Sequence, residues 1–177
     1  RITRDGKLVV FHDGLLRRTT NGRGFLSRRN FEDLRALDAG AWFGRGFIGE
    51  RVPTLEETLD LIAADLLPCV EIKVGARGSV AKSVAACLGD RGLTDRCMII
   101  VGGLKEAAAV KAVEPRLAVV SLASRPRAVR RVLASDVVDG VAPRVDTVHA
   151  DVVAAARERH KWVVPWTVNR VADMRRL

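Results

Sequence analysis

The run Val9-Val10-Phe11-His12-Asp13, followed by Arg18-Thr19-Thr20-Asn21-Gly22-Arg23-Gly24, places a histidine at the end of a short apolar strand and in front of a polar, glycine-punctuated loop. Strand ends deliver side chains to ligands, and an imidazole that titrates near neutrality can both take and return a proton. A structural hydrogen bonder is the other role open to such a histidine. Further on, Val70-Glu71-Ile72-Lys73 alternates with the period of a strand, so Glu71 and Lys73 project from one face and Val70 and Ile72 from the other. Burying both charges is costly unless they pair with each other or meet a ligand. A carboxylate is a hard oxygen ligand for Ca²⁺ or Mg²⁺, and an ammonium neutralises a phosphodiester oxygen. Phosphoryl chemistry and a structural Glu71–Lys73 ion pair both fit this strand.

The elements that must position these residues follow from periodicity. After Pro53, helix-period and strand-period segments alternate with short connections, the pattern of a parallel α/β fold. Thr54-Leu55-Glu56-Glu57 is a capping box, and Leu55, Leu59, Ile62 and Leu66 continue it as one apolar stripe. Strand 69–73 follows, then a helix opened by Ser79, carrying Val80, Val84, Cys87 and Leu88, with Gly89 and Gly92 available to end it. Strands are predicted over 97–101, 117–122, 137–142 and 162–168. Helices are predicted over 104–113, 126–134 and 149–160, with a last one after Asn169. Asp5-Gly6 signals a two-residue hairpin, which makes Ile2-Thr3 the stub of a further strand and brings the parallel strands to about six. Strand counting fits both a doubly wound sheet and a barrel, although no glycine-rich dinucleotide turn follows the first strand. Residues 14–53 read as a loop insertion with a short helical piece at Phe31, Leu34 and Leu37. Trp42, Phe43 and Phe47 are expected to pin it down by local packing, with a substrate box as the alternative.

At 177 residues and 48% hydrophobic content, the chain suits one domain with a sizeable core. No run approaches the roughly 18 apolar residues of a membrane span, so no integral membrane segment is expected. The three cysteines, Cys69, Cys87 and Cys97, lack metal-site spacing and read as small buried hydrophobes, which leans toward a reducing, cytoplasmic location. The net charge is +9, and between Arg1 and Phe31 eight basic residues face two acidic ones. That bias suits a phosphate-bearing ligand or an anionic surface, or is simply a solvated face. With no Tyr and no recognisable nucleic-acid module, nucleic acid is not expected as a partner. Nothing in the sequence sets an oligomeric state.

Taken in order, Thr3-Arg4-Asp5-Gly6, Val9–Asp13, Leu37-Asp38-Ala39-Gly40-Ala41-Trp42-Phe43, Gly49–Glu57, Glu71-Ile72-Lys73 and Trp166-Thr167-Val168-Asn169 resemble the glycerophosphodiester phosphodiesterase family. The resemblance implies a (β/α)8 TIM barrel of the phospholipase C-like phosphodiesterase type. It also implies divalent-metal-dependent hydrolysis of a small-molecule glycerophosphodiester to glycerol 3-phosphate and an alcohol, through a cyclic phosphate. His12 then looks like one of two acid/base histidines, Glu71 like a metal carboxylate, Lys73 like a phosphate contact and Trp166 like a wall of the substrate pocket.

The family's His-Arg-Gly and Glu-x-Asp motifs are absent from this sequence, and Val101-Gly102-Gly103 stands where a Ser-Phe pair is common. The pattern implies a barrel lacking its first βα unit and its last strand, with poor turnover expected of the chain as it stands. A catalytically incomplete barrel that binds phosphate ligands or serves a structural role is the alternative. His149 opens a helix and His160 ends it, so neither is expected to replace the missing histidine.

Overall fold

A computed structural model describes residues 1–62, 65–73 and 79–177, Ser79 by its backbone alone. The chain forms two compact units, Arg1–Leu66 and Leu67–Leu177. In the first, the Asp5-Gly6 signal is a hairpin with a three-residue loop. The Gly6 N–H donates to Thr3 O at 3.2 Å and the Thr3 N–H to Lys7 O at 3.0 Å, with Gly6 at φ 86°. That is a type I turn followed by a left-handed residue, which a glycine supplies without steric cost. Ile2 therefore bridges Leu8 in antiparallel fashion and contributes no parallel strand.

The apolar segment before His12 is also less regular than its composition predicts. Val9 makes a single antiparallel bridge to Thr54, and Phe11 and His12 lie outside any strand. Val9 instead enters a small core with Leu16, Leu26, Leu34 and Val52, against which Phe11, Phe31, Leu37 and Ala39 pack. Residues 14–53 thus fold around their own apolar centre, through 3₁₀ turns at Leu16–Arg18 and Leu26–Arg28 and a short helix α1 (Phe31–Arg35). Helix α2 (Leu55–Ile62) opens with both capping-box bonds: the Glu57 N–H donates to Thr54 Oγ1 at 3.0 Å and the Thr54 N–H to Glu57 Oε2 at 2.9 Å. Leu55 and Leu59 are buried on its inner face, whereas Leu66, expected to extend the stripe, is exposed.

The second unit is a five-stranded, wholly parallel sheet in the order β1-β2-β3-β4-β5. Its strands are β1 (Cys69–Ile72), β2 (Met98–Val101), β3 (Ala118–Ala123), β4 (Gly140–Pro143) and β5 (Trp162–Val163). Helices α3 (Ser79–Gly89), α4 (Leu104–Val113), α5 (Pro126–Leu133) and α6 (Ala150–Glu158) connect them, and α7 (Val171–Arg176) follows. Consecutive strands are neighbours throughout, so the sheet winds in one direction, as in a barrel. A doubly wound sheet reverses its order at a switch point.

Registered residues share a face. Ile72, Val101, Ser121 and Val141 form one buried row. In α5, Val129, Val132 and Leu133 are buried while Arg127, Arg130 and Arg131 are exposed, the division expected of a helix covering a sheet. Gly92, at φ 64°, ends α3 in a Schellman pattern, the Leu93 N–H reaching Leu88 O at 2.9 Å. The predicted capping role of the Ser79 side chain lies outside the described residues.

Two expectations fail here for tertiary reasons. Val138 is buried without belonging to a strand, because Asp136-Val137 turn and Asp139 spends its carboxylate on the Val119 N–H at 2.7 Å, so β4 starts at Gly140. Cys87 and Cys97 are buried, but Cys69, on the edge strand β1, is exposed.

Candidate functional site

Within the second unit, the alternation of β1 puts Ile72 into the buried layer and leaves Glu71 and Lys73 partly accessible at the carboxyl end of the strand. Lys73 Nζ lies 2.6 Å from Glu71 Oε1. The two charges neutralise one another while both stay within reach of solvent, which lowers the cost of holding them beside an apolar sheet. Trp166 follows the opposite edge strand. Its backbone N–H donates to Pro143 O at 2.9 Å, its indole Nε1 to Ala142 O at 2.8 Å, and one side of the ring faces solvent. Beside it, the Arg144 guanidinium makes two charge-assisted bonds to Asp146, both 2.6 Å.

His12 belongs to the first unit. Its Nδ1 lies 2.7 Å from Asp13 Oδ1, and Arg18 grips the same carboxylate through Nε at 2.5 Å and a terminal nitrogen at 3.0 Å. The Arg18 and His12 hydrogen bonds hold the Asp13 carboxyl well below the usual carboxylate range. An ionised carboxylate only accepts, so His12 Nδ1 is the donor of this bond. Arg18-Asp13-His12 thus forms a chain in which a guanidinium fixes the carboxylate and the carboxylate fixes the imidazole. The backbone adds a further restraint, Arg1 Nε donating to His12 O at 3.0 Å.

The segment after α1 is organised by one side chain. Asp38 accepts from the N–H groups of Gly40, Ala41 and Gly49 at 2.8–2.9 Å, and these bonds, that from Ala41 foremost, lower its pKa. Gly40 is required there: a Cβ would sit 1.9 Å from Phe47 O. The aromatics expected to pack this segment down do not. Trp42, Phe43 and Phe47 are exposed and stack edge-to-face on one another, with centroids 5.5 and 5.1 Å apart, while the Trp42 indole N–H returns to Ala39 O.

The model of the Glycerophosphoryl diester phosphodiesterase family matches residues 1–177. The chain belongs to this family. A glycerophosphodiester phosphodiesterase of Bacillus subtilis is 31% identical over 198 residues, covering 100% of this chain and 67% of the relative. Another, from Caldanaerobacter subterraneus, is 50% identical over 76 residues, 42% of this chain and 31% of the relative. The chain thus spans under a third to about two thirds of these relatives' lengths. An Oleispira antarctica phosphodiesterase, solved in complex with the product sn-glycerol-3-phosphate, superposes with a TM-score of 0.90 at 24% identity, over 99% of this chain and 73% of that one. The glycerophosphodiester phosphodiesterase of Agrobacterium tumefaciens gives 0.83 at 22%, over 99% and 75%. At these identities the likeness is one of fold: an α/β architecture of the TIM-barrel type, in agreement with the singly wound strand order.

Among the family blocks, Asp38 and Gly40 shape a loop, and Thr54 and Glu57 start a helix. Glu57 also takes a two-pronged bond from Arg35 at 2.7 and 2.8 Å, tying α1 to α2. Of the four residues singled out from sequence, Glu71 and Lys73 are brought into contact within the second unit. Trp166 follows the far edge of the same sheet order, and His12 lies in the other unit. Asp13 and Arg18, which orient His12, were present in the sequence beside it and six residues on, but a single acid and a single arginine in a basic loop carry no distinguishing period. His160, at φ 51°, is the left-handed residue that closes α6, its N–H donating to Arg157 O while the Lys161 N–H reaches Ala156 O. His149 is the N-cap residue of that helix. Both are helix-end residues, as predicted.

Proposed function

We propose that this chain acts in the hydrolysis of glycerophosphodiesters to glycerol 3-phosphate and an alcohol. The observation that carries the reading is the Glu71–Lys73 pair: two charges side by side at the carboxyl end of a parallel strand, where barrel enzymes keep their chemistry, in a chain matched by its family over all 177 residues. His12 is one acid/base group of the pair that the family resemblance implies. With its proton on Nδ1 held by Asp13, it takes the proton of the attacking glycerol hydroxyl at Nε2. That oxygen bonds to phosphorus as the bond from phosphorus to the alcohol oxygen breaks; the departing alcohol takes a proton from water, and the hydroxide equivalent left behind opens the cyclic phosphate as the glycerol oxygen leaves with the proton held on His12. Lys73 offsets charge on the phosphate oxygens, and Trp166 walls the pocket.

The reading includes a divalent cation, Ca²⁺ or Mg²⁺, to which Glu71 offers a hard oxygen. When bound, such a cation neutralises phosphate charge. Among the described residues no three His, Cys, Asp or Glu side chains converge, and one carboxylate does not make a cation site, so the steps above rest on His12, Lys73 and Trp166.

The test is glycerol 3-phosphate release from a panel of glycerophosphodiesters differing in the alcohol. Release at any measurable rate should fall by about 10²-fold or more in His12→Ala, and sharply in Glu71→Gln and Lys73→Met. Release lowered by a chelator and restored by Ca²⁺ or Mg²⁺ would support the cation, and release indifferent to both would remove it from the reading. Saturable binding of glycerol 3-phosphate with no turnover would turn the assignment into a phosphate-binding module. Turnover untouched by all three substitutions would remove these residues from the chemistry.

A further inference from the structure

Between Gly14 and Phe31 the sequence holds five arginines and no acidic residue. Two short segments in this run are near-copies, Leu15-Leu16-Arg17-Arg18 and Phe25-Leu26-Ser27-Arg28-Arg29. Each starts with an exposed apolar residue, continues with a leucine only 1% exposed, and passes into a 3₁₀ turn that carries arginine. The two meet at an antiparallel bridge between Leu15 and Phe25, flanked by Leu16 N–H to Gly24 O and Leu26 N–H to Gly14 O, both 3.0 Å. Leu15 and Phe25 are therefore the non-hydrogen-bonded pair, whose side chains leave the ladder close together on one face. Leu16 and Leu26 point into the core, so this pair points into solvent, at 38% and 48% exposure. The Arg28 guanidinium lies 5.2 Å from the centre of the Phe25 ring. Arg18 is committed to Asp13. Among the described residues, Arg17, Arg23, Arg28 and Arg29 form no ion pair.

We infer that this face docks peripherally on an anionic lipid bilayer, Leu15 and Phe25 entering the boundary between headgroups and acyl chains while the four arginines meet lipid phosphates. Charge complementarity points to an anionic partner, and the chemistry of the apolar pair selects the bilayer. An aliphatic leucine gains by entering hydrocarbon but offers a nucleic-acid base no platform on which to stack. A basic cluster beside exposed apolar side chains is the two-signal arrangement that a membrane surface rewards. No described helix is long and apolar enough to cross a membrane, so attachment at this face is by surface contact. Docking here does not depend on the phosphodiesterase reading, since none of its residues is assigned to that chemistry.

The experiment is sedimentation of the whole chain with vesicles of phosphatidylcholine alone and of phosphatidylcholine with phosphatidylglycerol, at low and high salt, with circular dichroism confirming the fold of each variant. Binding is expected to the anionic vesicles only and to disappear in high salt. It should weaken roughly fivefold for each of Arg17→Gln, Arg28→Gln and Arg29→Gln, and fall again in Leu15→Ser with Phe25→Ser. Arg127→Gln, which removes the same charge from exposed α5, should leave it unchanged. Equal weakening by Arg127→Gln would mean non-specific attraction by net charge and overturn the proposal, as would indifference to the Leu15 and Phe25 changes. Tighter capture of a single-stranded RNA oligonucleotide, lost in the same arginine variants, would overturn it in favour of nucleic acid.

Discussion

At Asp13, two cationic partners act on one carboxylate, and the consequences are separable. Because its pKa is depressed in the folded chain, the stability it contributes is present above the usual carboxylate range and is lost as pH falls through its folded value. Thermal melts should show Asp13→Asn less stable than the parent at neutral pH, with the gap closing in acid. A gap that persisted in strong acid would mean that charge is not the cause. For the proposed chemistry, the same change replaces a carboxylate that can only accept with an amide whose NH2 can also turn toward His12 Nδ1, so glycerol 3-phosphate release should drop roughly tenfold or more without loss of fold. The thiols offer an independent reading of burial. Cys97 is pushed up to about 11 by burial, with Cys69 nearby adding to the shift, and Cys87 is equally enclosed. A disulfide reagent at neutral pH should therefore modify Cys69 alone in the native chain and reach the other two only after unfolding.

Elements are held by small numbers of polar contacts at their ends. The capping box of α2 joins Thr54 to Glu57, and Glu57 in turn receives Arg35, so one carboxylate serves a helix start and a link to α1. The Thr54 N–H is the largest cause of the lowered Glu57 pKa, followed by Arg35. Thr54→Ala should cost about 1 kcal/mol in urea unfolding, and Thr54→Ser should recover most of it. This start was legible because a capping box is a fixed local spacing. The edges of strands were not: β4 begins later than its apolar run because Asp139 is drawn to the Val119 N–H. Gly140 is then needed because a Cβ there would lie 2.6 Å from Trp162 O. Such constraints come from the neighbouring strand, and no window of sequence contains them.

At the scale of the whole molecule, each of the two units buries leucines of its own. Leu34 lies at the centre of the first unit's cluster and Leu88 is fully buried in the second. Each Leu→Ala change should cost about 2–5 kcal/mol in denaturant unfolding; a loss under about 1 kcal/mol at either position would mean that its leucine is not part of a packed core.

The sequence by itself determined the parallel α/β rhythm, the capping box, the helix-end roles of His149 and His160, and the projection of Glu71 and Lys73 from one side of a strand. All of these follow from periods of two, three or four residues that the chain carries locally. It also carried the family, through blocks kept in order. Only the tertiary structure decided that the sheet winds in a single direction, because strand order is a relation between distant segments that no spacing encodes. Only there does Asp38 gather three N–H groups from a loop, His12 acquire its Asp13–Arg18 support, and Trp42, Phe43 and Phe47 turn outward. The reason is common to all three: a hydrogen-bonding carboxylate or an aromatic ring has no preferred direction along the chain, so its partner is fixed by where the backbone returns.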